Sequence, residues 1–334
     1  MKKIKVAING FGRIGRMTAR VLLSNSNIEL TAINDLSDNK TLAHLFKYDS
    51  IHRAYRGTVE TQNGDIKIDN QLIRIFAEKD PTKLPWKKLE IDVVLECTGK
   101  FLDVKGATQH LDAGARKIIL SAPPKDKEEI KSFVIGVNDQ FLNSDEKIIS
   151  NASCTTNNAA PMLKILDDSF GIESAYVTTV HSYTGDQNIH DAPHRDLRRA
   201  RAAAVSIIPT TTGAAKALND VLPHLKGKIG GAGIRVPVAN GSLTDITCIL
   251  KKAISVEEIN KAFRTASQST MKSILEYTED PIVSIDIVDN PHSCIFDSQL
   301  TSVLGTMAKV VGWYDNEIGY SNRLAELAEK IGSN

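Results

Sequence analysis

Ile4-Lys5-Val6-Ala7-Ile8-Asn9-Gly10-Phe11-Gly12-Arg13-Ile14-Gly15 is a short apolar run that breaks into a glycine-rich turn, after which Ala19, Val21 and Leu22 mark a helical pattern. A bare G-x-G-x-x-G is a weak signal. Here a strand precedes it, a helix follows it, a second strand reads from Ile28 to Ile33, and Asp35 stands about 20 residues past the last glycine, as a dinucleotide-binding βαβ unit requires. Gly10, Gly12 and Gly15 let backbone approach a pyrophosphate at the helix N-terminus, while Asp35 suits a ribose hydroxyl. An acid there repels a 2′-phosphate, so the expected cofactor is NAD. Asn63-Gly64, between the run ending at Val59 and the one starting at Ile66, reads as a hairpin insertion. The stretches 92–99 and 117–121 read as parallel-type strands separated by a helix through His110. Their carboxyl ends, at Thr98-Gly99 and Ser121, are where an open parallel sheet holds its ligand.

The remaining length calls for a second domain, since domains run to roughly 100–200 residues and the chain has 334. Alternating runs from Ala175 to His181, Ser242 to Leu250 and Met307 to Trp313 fit antiparallel strands with one buried face. The stretch from Ser182 to Ser206 is polar, arginine-rich and without strand pattern, a length of loop that is usually functional. The expected fold is α/β: a Rossmann-type doubly wound dinucleotide-binding domain over 1–153, with a C-terminal helix in 316–334 packing back onto it. An α+β catalytic domain with an antiparallel sheet follows over 154–315. A net charge of +1 gives no pull toward nucleic acid or anionic membrane. No run approaches the ~20 apolar residues of a spanning helix, and no signal-peptide stretch precedes Asn9-Gly10. Four scattered cysteines without a C-x-x-C pair make neither a disulfide framework nor a zinc ribbon. A cytoplasmic protein without a metal site is expected.

The chemistry concentrates at Asn151-Ala152-Ser153-Cys154-Thr155-Thr156-Asn157-Asn158, where a lone thiol among hydroxyls and amides opens a helical pattern. Unpaired N–H groups and the macrodipole at a helix start favour an anion, a setting that makes a cysteine reactive. Cys97 and Cys248, inside apolar strand-like runs, read as structural.

Ile8 to Arg16, Ser153-Cys154-Thr155-Thr156-Asn157 and Trp313-Tyr314-Asp315-Asn316-Glu317 together resemble the phosphorylating glyceraldehyde-3-phosphate dehydrogenases, and Leu197-Arg198-Arg199-Ala200-Arg201, Ile208 to Gly213 and Arg235-Val236-Pro237 extend the resemblance over essentially the whole chain. It implies a glycolytic enzyme. Cys154 would attack the aldehyde of glyceraldehyde 3-phosphate, and His181 would serve as base. Oxidation by NAD would leave a thioester, which inorganic phosphate would open to 1,3-bisphosphoglycerate. The resemblance assigns Thr184 and Arg235 mainly to the substrate phosphate, and Ser153, Thr155, Thr212 and Gly213 mainly to the attacking one. Arginine, with its planar fork of donors, suits this work, and one arginine of the 198, 199, 201 cluster should join them, Arg199 being favoured. For the cofactor it implies Gly10, Gly12, Arg13, Ile14 and Gly15 at the pyrophosphate, Asp35 at the adenosine ribose, Lys79 and Ser121 near the adenosine half and the nicotinamide, and Asn316 at the nicotinamide carboxamide. Leu36 and Pro193 match the NAD-preferring form. A homotetramer, with the 182–206 loop at subunit contacts, is the implied assembly.

The chain departs from the family at Asn158, where a second cysteine is common, at Ile318 for a tryptophan, at Lys79 for a frequent arginine, and at Gly241 for a larger residue. Positions i and i+4 share a helix face, so Cys154 lacks a neighbouring thiol. Two other readings stand beside the first: an erythrose-4-phosphate dehydrogenase, which would not need phosphate, and a mainly non-catalytic binding protein using its basic 195–201 stretch.

Overall fold

In the computed structural model, which describes residues 2–333, the chain divides into two compact units. The first comprises Met1–Phe133, Phe141–Ala152 and Ser321–Asn334; the second comprises Val134–Gln140 and Ser153–Tyr320. Val134–Gln140, expected in the first domain, thus clusters with the second, where Gly136, at a φ of +81°, lies against Ile274 and Met271. The pairing of these apolar groups outweighs sequence adjacency.

The first unit is built on eight strands: β1 (Ile4–Asn9), β2 (Ile28–Asn34), β3 (Val59–Gln62), β4 (Asp65–Ile68), β5 (Gln71–Phe76), β6 (Val93–Glu96), β7 (Lys117–Leu120) and β8 (Ile148–Ser150). Their order across the sheet is β8-β7-β6-β1-β2-β5-β4-β3. Every pairing from β8 across to β5 is parallel, and β3–β4–β5 form the antiparallel hairpin extension. Asn63 and Gly64 turn that hairpin with positive φ, 51° and 88°, as a two-residue primed turn needs. Val6, Ala7, Ile8, Val93, Val94 and Leu95 are completely buried, because helices α1 (Arg13–Ser24) and α2 (Asn39–Lys47) and later α3 (Val104–Asp112) accompany strands that must hide both faces. The chain begins at the sheet centre, winds outward through β2, then returns to β6 on the other side of β1. That reversal is a topological switch point, where a crevice opens outside the carboxyl ends of the strands.

The second unit holds β9 (Ile172–Ser182), β10 (Ile208–Thr210), β11 (Ile229–Val236), β12 (Ser242–Leu250), β13 (Leu275–Thr278), β14 (Cys294–Asp297), β15 (Ser302–Leu304) and β16 (Met307–Tyr314). The sheet runs β10-β11-β9-β12-β16-β14-β13, with β15 beside β16. Most pairs are antiparallel as expected, but β9–β11 and β13–β14 are parallel. Alternation tells which face of a strand is buried and says nothing of a partner's direction. Helix α4 (Cys154–Phe170) packs on β9, β12 and β16 and is buried nearly all round. Helices α5 (Ala214–Val221) and α6 (Val256–Gln268) flank it, and α7 (Ile318–Gly332) ends the fold.

Candidate active site

Cys154 is the first residue of α4, and Ser153 caps that helix by accepting from Thr156 N at 3.1 Å. On β9 the two-residue period buries Val177, Thr179 and His181 on the face that α4 covers. The result is a contact: Cys154 Sγ lies 3.4 Å from His181 Nε2. His181 Nδ1 lies 2.7 Å from the carbonyl oxygen of Ser182. Arg235 Nη1 lies 2.9 Å from the same nitrogen; the carbonyl only accepts and the guanidinium only donates, so the two neighbours of Nδ1 call for opposite tautomers.

Electrostatics at this pair differ from the expectation of an acidic thiol. Burial pushes the Cys154 thiol up despite the opposing pull of the Arg235 guanidinium and the Thr155 N–H. Although the residue keeps some exposed surface, the sulfur faces enough protein for desolvation to outweigh the helix start. Burial, reinforced by Arg235, drives His181 down to about 3. The pair is therefore a neutral thiol facing a neutral imidazole.

Two clusters of anion donors lie in the same unit. Arg235, on β11 beside β9, brings Nη1 to 2.9 Å from the Ser182 carbonyl and 3.5 Å from Thr184 Oγ1. Arg199 donates to Thr210 Oγ1 at 3.0 Å, to the Thr211 carbonyl at 3.3 Å and to Asp186 at 2.7 Å. Of the three arginines in the cluster, only Arg199 meets these threonines; Arg201 pairs with Asp191, and Arg198 is exposed. Thr212 Oγ1 accepts from Ala214 N, and Gly213 caps α5 without a side chain of its own, so the N–H groups there face outward. The Thr155 hydroxyl instead turns into the core, 2.9 Å from Tyr314 Oη. Its contribution to an anion is then its N–H in the first turn of α4. Asn316 accepts through Oδ1 from the hydroxyls of Ser182 and Ser242, each at 2.8 Å, and among the described residues its amide nitrogen meets no partner.

Tyr314 is a residue the sequence reading left without a role. Its buried phenol joins Thr155 to Thr179 and its ring meets His181 edge-on at 5.9 Å. It stands within Trp313-Tyr314-Asp315-Asn316-Glu317, where nothing in the pattern separates it from an ordinary core aromatic.

In the first unit the residues fit a dinucleotide. Helix α1 starts at Arg13 with Gly12 as a cap that makes no side-chain hydrogen bond, and a Cβ at Gly12 would meet nothing within 4 Å. Ile14 lies in the same first turn, whose N–H groups look into that open space. A Cβ at Gly15 would strike the Gly10 carbonyl, and one at Gly10, φ +96°, would lie 2.7 Å from Thr98 N. The Arg13 guanidinium pairs with Asp49, which leaves its backbone N–H as the group it offers at the turn. Asp35 holds the turn by accepting from Phe11 N at 2.8 Å and from Ser37 N at 2.9 Å. Ser121 follows β7 at the sheet's carboxyl edge, whereas Lys79 is exposed.

A doubly wound unit with an uncapped glycine-rich helix start, in one chain with a thiol set against an imidazole, defines a dinucleotide-dependent oxidoreductase. Residues 4–104 match the family model for the NAD binding domain of glyceraldehyde 3-phosphate dehydrogenase, and residues 153–316 match its C-terminal domain. The chain belongs to the glyceraldehyde-3-phosphate dehydrogenase family, and its cofactor is NAD. It is 56% identical to the glyceraldehyde-3-phosphate dehydrogenase of Borreliella burgdorferi, over 98% of this chain and 99% of that one. It is 52% identical to that of Mycobacterium avium, over 98% of each chain, and 51% identical to that of Mycolicibacterium smegmatis, again over 98% of each.

Proposed function

We propose that this chain oxidises glyceraldehyde 3-phosphate with NAD and inorganic phosphate to 1,3-bisphosphoglycerate in glycolysis, the first unit holding the cofactor and the second performing the chemistry. The observation that carries the reading is the 3.4 Å contact between Cys154 Sγ and His181 Nε2. His181 takes the thiol proton as sulfur attacks the aldehyde carbon and returns it to the oxygen that forms, giving a hemithioacetal on Cys154 and leaving the imidazole neutral again. It then accepts the hydroxyl proton as the carbon is oxidised and the thioester forms. NAD, when bound, supplies the acceptor for the hydride. Arg235 with Thr184 holds the substrate phosphate, while Ser153, Thr155, Thr212 and Gly213 with Arg199 hold the attacking phosphate. The two arginine clusters support a reaction that handles two anions, and so favour this substrate over erythrose 4-phosphate. In the first unit, Gly10, Gly12, Arg13, Ile14 and Gly15 hold the pyrophosphate and Asp35 the ribose, with Lys79 and Ser121 beside the remaining cofactor. Asn316 donates its amide to the nicotinamide carboxamide.

The working form is a homotetramer in the cytoplasm. Ile189, Leu197, Val205 and Ile207 are each more than two-thirds exposed on one polar loop, a pattern that marks a contact surface. No helix among the described residues is long and apolar enough to cross a membrane. The deciding experiment is NAD reduction with glyceraldehyde 3-phosphate or erythrose 4-phosphate, with and without inorganic phosphate. Turnover that requires phosphate and prefers the triose is expected, and turnover indifferent to phosphate would refute the reading.

A further inference from the structure

The last residues of the three central strands of the first unit are Glu96 on β6, Asn9 on β1 and Asn34 on β2, and they stand opposite one another in register. All three are polar and almost wholly inaccessible. Glu96 is a carboxylate in the middle of a sheet core, a costly placement unless its oxygens are fully satisfied. They are. Oε1 accepts from Thr98 N at 2.8 Å and from the Thr98 hydroxyl. Oε2 accepts from Asn9 Nδ2 at 2.5 Å and lies 3.2 Å from His110 Nε2.

The histidine's tautomer follows from its other partner. Trp86 Nε1 reaches His110 Nδ1 at 3.0 Å, and an indole nitrogen only donates, so Nδ1 is bare and Nε2 carries the proton toward Glu96. The relay continues on the other side. Asn34 Nδ2 donates to Asn9 Oδ1 at 2.7 Å, and Asn34 also grips Glu78 through its N–H at 2.8 Å and its carbonyl at 2.9 Å. Trp86, His110, Glu96, Asn9 and Asn34 thus form one buried polar layer with the carboxylate at its centre.

That layer lies one residue beneath the groups proposed to receive the pyrophosphate and the ribose. Gly10 follows Asn9, Asp35 follows Asn34, and Cys97-Thr98 follows Glu96. Gly10 also rests on the Cys97–Thr98 peptide, with its Cβ position 2.7 Å from Thr98 N and 2.8 Å from the Cys97 carbonyl carbon. Glu96 therefore holds both sides of the seat on which the glycine turn sits: Thr98 directly, and Gly10 through Asn9.

We propose that Glu96 is a positioning residue for NAD, its buried carboxylate setting the relative height of the β1, β2 and β6 ends so that the pyrophosphate turn is preformed before the cofactor arrives. A preformed site spares the cofactor the cost of ordering it, so the effect belongs to affinity and not to the chemical step. The inference rests on NAD binding at this turn. It touches none of the groups proposed to perform the reaction.

The test is Glu96→Gln. The amide turns a donor toward Asn9 Nδ2 and His110 Nε2, both of which already donate, and so breaks the layer with little change of shape. Calorimetric titration should show the NAD Kd raised at least tenfold, with kcat at saturating NAD within threefold of the parent. Val94→Ala, a cavity two residues back on the same buried strand, serves as the stability control and should lower the melting temperature without moving Kd. The double variant Asn9→Asp with Glu96→Gln returns an acceptor opposite the amide and should recover most of the lost affinity. Thr98→Val, which removes one donor to the carboxylate, should raise Kd about threefold and covers the case in which Glu96→Gln does not fold. An NAD Kd within twofold of the parent in the folded variants, or an equal rise in Val94→Ala, overturns the proposal. Failure of the parent protein to bind NAD would strike the functional reading instead.

Discussion

At the scale of single residues, Arg235 acts on both members of the reactive pair with the same sign. Its positive charge stabilises a thiolate and so lowers Cys154, while it opposes an imidazolium and so lowers His181. Removing the charge should therefore raise both. In Arg235→Gln, the pH profile for alkylation of Cys154 by iodoacetamide should shift to higher pH, with a several-fold slower rate at pH 7; an unmoved profile would show that Arg235 does not tune the thiol. Asn158 bears on the fate of the same sulfur. It is wholly buried, and its amide lies 3.2 Å from the Ser293 carbonyl and 3.2 Å from that of Trp313, a structural tie four residues along the helix from Cys154. Burial pushes up the other thiols as well, Cys97 to about 12, Cys248 to about 11, and Cys294 upward, and none of them faces an imidazole as Cys154 does. Peroxide should thus carry Cys154 to a sulfenic acid or, with a small thiol present, to a mixed disulfide. Peptide mass spectrometry should find no crosslink from Cys154 to Cys97, Cys248 or Cys294.

At the scale of elements, strong local patterns were legible and partner choice was not. The glycine turn, the Asn63-Gly64 hairpin, the helix opened by Cys154 and the three long alternating strands all stand where the sequence puts them, since each is encoded within a dozen residues. The parallel pairs β9–β11 and β13–β14, and the passage of Val134–Gln140 into the second unit, depend on residues far away in the chain and leave no local mark. Within the site, Cys154 was legible because a thiol among hydroxyls at a helix start is unusual, and His181 only because a motif placed it. Tyr314, Ser182 and Ser242 were not, because buried tyrosine and serine have many ordinary uses. Gly241 shows a departure acquiring a reason from the structure. Its φ is +90°, and a Cβ there would run into the Ser284 carbonyl. Gly241→Ala should cost about 1–3 kcal/mol through backbone strain and this collision, read as a lower urea midpoint with unchanged m. Because Ser242 follows directly and holds Asn316, the KM for NAD should rise in the same variant. A variant as stable as the parent would mean that the Ser284 segment yields freely.

At the scale of the whole molecule, the second unit's loop has two duties on one stretch of backbone. Arg199 and Asp196 engage Thr210 there, while Leu197, Val205 and Ile207 stand 82%, 80% and 70% exposed. Such a density of bare apolar side chains is unfavourable in water, and in the proposed homotetramer another copy of the chain would cover them. Assembly and anion binding would then be coupled, because a cover that buries Leu197 would also steady Arg199 two residues away. A Leu197→Glu, Val205→Glu double variant should sediment as a smaller species than the parent in analytical ultracentrifugation. Its KM for inorganic phosphate should rise several-fold, while alkylation of Cys154, which depends on α4 and β9, should keep its parental pH profile. If the variant keeps the parental sedimentation coefficient, the exposed stretch is not the assembly surface. If it dissociates with an unchanged phosphate KM, the loop holds its arginine without help from a neighbour, and the coupling between assembly and the anion site falls.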